Sequence, residues 1–90
     1  MMPEQQISVG PPRQVRVAGV NVGALRVKPD AEDPEAVVGV FNPDLGEPEM
    51  RRVRPGDRFT VAGREFHVTG IAPPPGASVD MTVTWPEGRE

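Results

Sequence analysis

Apolar and polar residues alternate along much of this chain, and a period of two is typical of strands with one buried face. The most regular run spans residues 78–85, where four side chains are predicted to point inward: Val79, Met81, Val83 and Trp85. Shorter alternating or continuous apolar runs predict further strands over residues 7–9, 14–18, 20–28, 36–41, 50–54, 58–62 and 65–71. No segment shows the spacing of an amphipathic helix.

The alternation slips twice between residues 14 and 28, once at Gly19 and again at Gly23. A glycine at a slip permits a β-bulge or a tight turn. We therefore predict a kink or turn at residues 18–19, and we expect Leu25 to lie on the same face as Val27.

The clearest pair of strands is 58–62 with 65–71. A glycine at the first loop position suits a two-residue type II′ turn, which we place at residues 63–64. In that register Val61 faces Phe66 and Phe59 faces Val68, so apolar residues oppose apolar residues.

Composition strengthens the β interpretation. The chain has 90 residues, with fourteen valines against two leucines and two isoleucines, and with 12 prolines and 10 glycines. Valine favours strands, while proline and glycine favour turns. We predict an all-β fold, a small antiparallel β-sandwich or partly open β-barrel of six to eight short strands. It occupies residues 7–86 as one domain, with flexible segments at 1–6 and 87–90.

Charge and cysteine content narrow the classes of function. The net charge is −3, which weighs against nucleic-acid binding, and no stretch approaches the ~20 apolar residues of a membrane span. The absence of cysteine excludes disulfides, thiol catalysis and cysteine-based zinc sites. The polar N-terminus lacks the pattern of a secretory signal, so we expect a cytoplasmic protein.

The charged residues are segregated along the chain. Residues 29–49 contain only acidic charges, and residues 50–64 are dominated by arginine. The two blocks either screen each other across neighbouring strands or form a bipolar surface that docks a partner. Trp85 either caps the core or anchors an interface. The candidate interaction surface is Arg51, Arg52, Arg54, Arg58, Arg64, Asp30, Glu32, Asp33, Glu35 and Trp85.

The sequence gives little support for a catalytic site or a metal site. His67 is the single histidine, and a relay would need Ser78 and Asp80 beside it. Neither serine lies in a G-x-S-x-G context. The acidic loop at residues 30–35 lacks the glycine of a calcium-binding EF-hand loop. We expect no enzymatic activity, no metal and no cofactor.

Several short motifs carry a family resemblance. They are VGALRV at residues 22–27, VGVF at 38–41, VxPGDxFxVxG at 53–63 and FxV at 66–68. With them, residues from roughly 15 to 85 resemble a group of short bacterial all-β domains of unknown function. The resemblance implies a bacterial all-β domain and carries over no functional residue.

These observations lead to one functional expectation with two alternatives. We expect a non-catalytic module that binds a protein partner, or a second copy of itself, through an exposed sheet edge or its charged surface. The first alternative is a structural component of a larger assembly, such as a phage or secretion particle. The second is a small-ligand binder that uses the mouth of a barrel.

Overall fold

The computed structural model describes residues 3–11, 13–30, 32–42 and 47–86. These residues form eight strands and no helix, which confirms the all-β prediction. None of them forms a helix suited to crossing a membrane. The strands are β1 (Glu4–Val9), β2 (Gln14–Val17), β3 (Val20–Val27), β4 (Ala36–Phe41), β5 (Glu49–Val53), β6 (Arg58–Val61), β7 (Arg64–Ala72) and β8 (Ser78–Thr84).

The strands form two antiparallel sheets of four, in the orders β1-β8-β7-β6 and β2-β3-β4-β5. Strands that follow one another in sequence are neighbours within each sheet, because short turns favour antiparallel pairing. The chain passes between the sheets from β1 to β2 and again from β5 to β6. No backbone ladder joins the sheets among the described residues. The fold is therefore a β-sandwich, and the sheets do not close into a barrel.

The core lies between the two sheets and is built mainly from valine. Phe66 is fully buried and stacks on Phe59, with 4.9 Å between ring centroids. No polar or charged residue is buried in the described part of the chain. The buried side chains are Ile7, Val9, Val17, Val20, Val22, Ala24, Val27, Ala36, Val38, Val40, Val53, Val61, Phe66, Val68, Val79, Met81 and Val83.

The predicted kink or turn at residues 18–19 is a two-residue hairpin turn. Ala18 and Gly19 have φ values of 51° and 82°, and β2 pairs with β3 directly on either side of them. Positive φ at both central residues is the geometry of a type I′ turn, whose twist matches that of the strands.

The predicted type II′ turn at residues 63–64 is wrong. The turn is formed by Ala62 and Gly63, whose φ values are 54° and 80°, and it is again of type I′. Phe59 therefore pairs with Phe66, and Val61 pairs with Arg64. Alanine at a positive φ gives no turn signal in a sequence. The inward faces are unchanged, since moving the turn by one residue shifts each cross-strand partner by two.

The strand boundaries agree with the prediction to within one residue, except at the start of β1. β1 begins at Glu4 rather than Ile7, and residues 4–6 pair with residues 82–84 of β8. Residues 4–6 were predicted to be part of a flexible segment. They form a strand because their backbone pairs with β8, although their polar side chains face solvent. The segment 87–90, also predicted to be flexible, lies outside the described residues.

Candidate functional site

The acidic and basic blocks meet where the β3–β4 loop lies against β5. Lys28 Nζ is 2.9 Å from Asp33 Oδ2, and Arg52 Nε is 3.2 Å from Glu35 Oε2. Arg54 adds longer contacts, at 3.7 Å to Asp33 and 3.8 Å to Glu35. The antiparallel pairing of β4 with β5 brings these segments together. Of the two interpretations of the charge pattern, mutual screening describes these residues.

The ion pairs shift two pKa values. The hydrogen bond to Asp33 raises the pKa of Lys28 above 10.5, with further support from the charges of Asp33, Glu35 and Asp30. The same hydrogen bond lowers the pKa of Asp33 below 3.8, and the charge of Arg54 lowers it further. Both side chains are nearly half exposed, so solvent screens the pair and its contribution to stability is small.

The remaining charged candidates lie on separate parts of the molecule. Arg51 Nη2 is 2.9 Å from Glu49 on the β5 edge, and Arg58 Nη1 is 3.8 Å from Glu65 on the other sheet. In the β3–β4 loop, Asp30 Oδ1 accepts a hydrogen bond from the backbone N–H of the exposed residue Glu32. These contacts are local, so the candidate residues do not share one docking surface.

Arg64 connects the two sheets at one end of the sandwich. Its Nε donates to the carbonyl oxygen of Ala18 at 2.8 Å, and its Nη1 donates to the carbonyl oxygen of Ala62. One guanidinium thus satisfies a carbonyl in each hairpin turn. Trp85 lies at the same end, half-buried, and packs against the core, as expected for a capping residue.

His67 and Ser78 are far apart on the sheet. His67 pairs with Thr82 in the β7–β8 ladder, whereas Ser78 pairs with Ala72. Thr82 and Ser78 lie four positions apart on β8, which is roughly 13 Å at strand spacing. No serine–histidine relay can form across that distance. Among the described residues, no group of three or more His, Asp or Glu side chains is placed to hold a metal ion.

The sequence did not predict a hydrophobic cluster on the outer face of the β2–β5 sheet. Three large apolar side chains are exposed in the described chain: Leu25 at 53%, Phe41 at 38% and Met50 at 58%. They belong to three different strands and line one groove of about 170 Å³, together with Gly23 and Gly39. We call this feature the outer groove; Gln14, Asn21 and Pro48 complete its lining.

The outer groove follows from strand register. Gln14 pairs with Gly23, Gly23 with Gly39, and Gly39 with Met50, so one row crosses all four strands with two glycines at its centre. The side chains of Gln14 and Leu25 partly fill the space over the glycines: a β-carbon at Gly23 would lie 3.2 Å from Gln14 Cγ, and one at Gly39 would lie 3.5 Å from Leu25 Cδ1.

A β-bulge turns Leu25 towards the outer groove. The register of β3 against β4 shifts between Ala24 and Arg26, so Leu25 is the extra residue. The expectation that Leu25 and Val27 share a face is wrong, since Val27 is buried and Leu25 is exposed. The alternation slips at Leu25 rather than Gly23, because a bulge needs no glycine.

Gly39 is not required by the backbone. Its φ lies outside the left-handed region, and a β-carbon added there would meet Leu25 Cδ1 at 3.5 Å, an ordinary contact. Gly10 is different, because its β-carbon would lie 2.5 Å from the carbonyl oxygen of Ala77. A glycine inside a strand weakens the strand. An alanine at position 39 would therefore fit the backbone, but its methyl group would occupy space in the outer groove.

Arginines flank the outer groove on two sides. Arg16 pairs with Asn21 on the side of Phe41, and Arg26 pairs with Val37 on the side of Leu25. Both arginines are exposed, and neither makes an ion pair or side-chain hydrogen bond with another described residue. The face thus combines exposed apolar side chains with two arginines that pair with no acid in the described part of the chain, although the whole chain carries a net charge of −3.

Comparison with protein-family models, curated proteins and solved structures finds no match to this chain. The site is therefore interpreted from its own geometry. An apolar groove with a few charged groups at its margin is suited to binding, because it can exclude water from a partner and orient it.

Proposed function

We propose that this chain is a non-catalytic β-sandwich module that binds another protein through the outer groove. The observation that carries the proposal is the concentration of Leu25, Phe41 and Met50 on one face. Isolated exposed apolar side chains are common on soluble proteins, but a contiguous cluster marks an interaction surface. The charged candidates support the same choice, since most of the arginines among them already pair with acidic residues of this chain.

The sheet gives the outer groove the rigidity that a binding surface needs. Gly23 and Gly39 lie on the two central strands, whose opposite faces pack Val22 and Val38 into the core. A surface on central strands keeps its shape on binding, so a partner meets little cost of ordering it. The walls use leucine, phenylalanine and methionine, and methionine adapts readily to the shape of a partner.

Site-specific photo-crosslinking tests this function. A photoreactive amino acid replaces Met50 in one sample and Thr60 in a matched sample. Thr60 is exposed on β6 of the other sheet. Each is irradiated in an extract of the source cells. We expect adducts with another protein from position 50 and not from position 60, and we expect Leu25→Asp to remove them.

The same experiment can overturn the proposal. Equal adducts from both positions, or adducts that survive Leu25→Asp, would show that the outer groove does not bind the partner. The Asp variant keeps the fold because Leu25 is exposed, and its circular dichroism spectrum and melting temperature verify this.

A further inference from the structure

We infer that the outer groove receives a short protein segment that carries one large apolar side chain with acidic residues on either side of it. This inference rests on the proposed function and names the chemistry of the partner. Three features carry it: the size of the groove, the charge at its margins and the area of the sheet face.

The size of the outer groove fits a single anchoring side chain. Its volume of about 170 Å³ is close to that of the roughly 150 Å³ engineered cavity that accepts benzene. Its lining combines the apolar side chains of Leu25, Phe41, Met50 and Pro48 with the polar side chains of Gln14 and Asn21. One aromatic ring or branched aliphatic side chain therefore fits in the groove, beside the exposed side chains of Leu25, Phe41 and Met50.

The charge at the margins determines what accompanies the anchor. Arg16 and Arg26 are exposed cations without ion-pair partners among the described residues, and they lie on opposite sides of the glycine row. Arg52, on the same face, already contacts Glu35. Two acids lie at the β5 side of the groove: Glu49 is paired with Arg51, and Glu47 is exposed. Carboxylates before and after the anchor would complement Arg16 and Arg26.

Spacing along the strands sets the length of the segment. Arg16 lies opposite Asn21, which pairs with Phe41, and Arg26 pairs with Val37, so the two arginines are four positions apart along β4. At strand spacing this separates the two arginines by roughly 13 Å along the strands, which an extended segment of about five residues spans. The acids are thus expected about two positions on either side of the anchor.

The area of the face favours a segment over a second copy of the chain. The exposed apolar part of the face is confined to the outer groove, whereas a stable dimer buries about 800 Å² of accessible surface on each partner. A second copy would also present the same unpaired arginines. A segment that seats one anchor needs far less area than a dimer does.

Selection from a phage-displayed library of random short peptides tests the inference. The immobilised baits are the wild-type chain, Gly39→Val, which fills the groove, and Thr60→Val, which adds the same residue to the other sheet. We expect the wild-type chain and Thr60→Val to enrich peptides with one aromatic or leucine anchor between acids. We expect Gly39→Val to enrich none of them.

A representative enriched peptide is then synthesised with a fluorophore. Arg16→Gln with Arg26→Gln should weaken its binding about tenfold and reduce its salt dependence, because two ion pairs are lost. Replacing the anchor of the peptide with glycine should weaken binding at least as much.

Other outcomes overturn the inference and leave the proposed function separately testable. The acidic segment would be refuted if the enriched peptides were basic or uncharged, if Gly39→Val enriched the same peptides, or if no peptide were enriched. A wild-type dimer in analytical ultracentrifugation that Gly39→Val abolishes would instead identify a second copy as the occupant. The crosslinks from position 50 would still support binding through the groove in these cases, and their absence would refute the function itself.

Discussion

Replacing Gly39 with alanine is expected to stabilise this chain while making its outer groove shallower. Glycine inside a strand costs roughly 0.5–1 kcal/mol relative to alanine, because it loses more backbone freedom on folding. The new β-carbon would lie 3.5 Å from Leu25 Cδ1, at ordinary van der Waals distance. The native backbone can therefore accept alanine without strain, and the gain is retained.

The expected gain is large enough to measure. In a domain of this size, 1 kcal/mol shifts the melting temperature by about 4–8 °C. Gly39→Ala should thus raise it by about 2–8 °C. Thermal melts followed by circular dichroism, with urea titrations at 25 °C, provide two independent measurements of the change in free energy of unfolding.

Gly10→Ala is the matched control. Its β-carbon would lie 2.5 Å from the backbone oxygen of Ala77, so the β7–β8 loop would have to move. Overpacking of this kind costs about 1–3 kcal/mol. If Gly39→Ala destabilised the chain as Gly10→Ala does, Gly39 would be an architectural glycine and the reasoning that links it to binding would fail.

Three further predictions concern the rest of the sandwich. Arg64→Met should cost about 1–2 kcal/mol in urea titrations, because the carbonyls of both hairpin turns lose a charged donor; a cost no larger than that of Arg13→Met would contradict this role. The pKa of Asp33 is lower in the folded state than its unfolded value of 3.8, so its contribution to stability is present above pH 3.8 and is lost as pH falls through the folded pKa. Asp33→Asn should remove this loss from a plot of the free energy of unfolding against pH. An unchanged plot would refute the assignment. Ala62→Asn should raise the melting temperature, because asparagine tolerates the φ of 54° in a type I′ turn better than alanine; a lower melting temperature would refute the turn assignment.

Local features of the sequence were sufficient for several parts of the structure. The alternation over residues 78–85 predicted β8 and its buried side chains, because a period of two assigns faces without reference to other strands. The meeting of the charged blocks was one of two stated alternatives, since an antiparallel neighbour could bring them together. The turn at residues 62–63 was misplaced because its alanine carries no signal for positive φ.

The sequence by itself thus determined the fold class, most strand positions and the inward faces, all of which depend on local periodicity and turn chemistry. Only the tertiary structure decided the outer groove. Gly23 and Gly39 become neighbours through the register of β3 with β4, and Met50 joins them through the register of β4 with β5. A single bulge reverses the side of the sheet to which Leu25 points. Register depends on long-range pairing, so residues far apart in the chain formed a binding surface that no local pattern indicated.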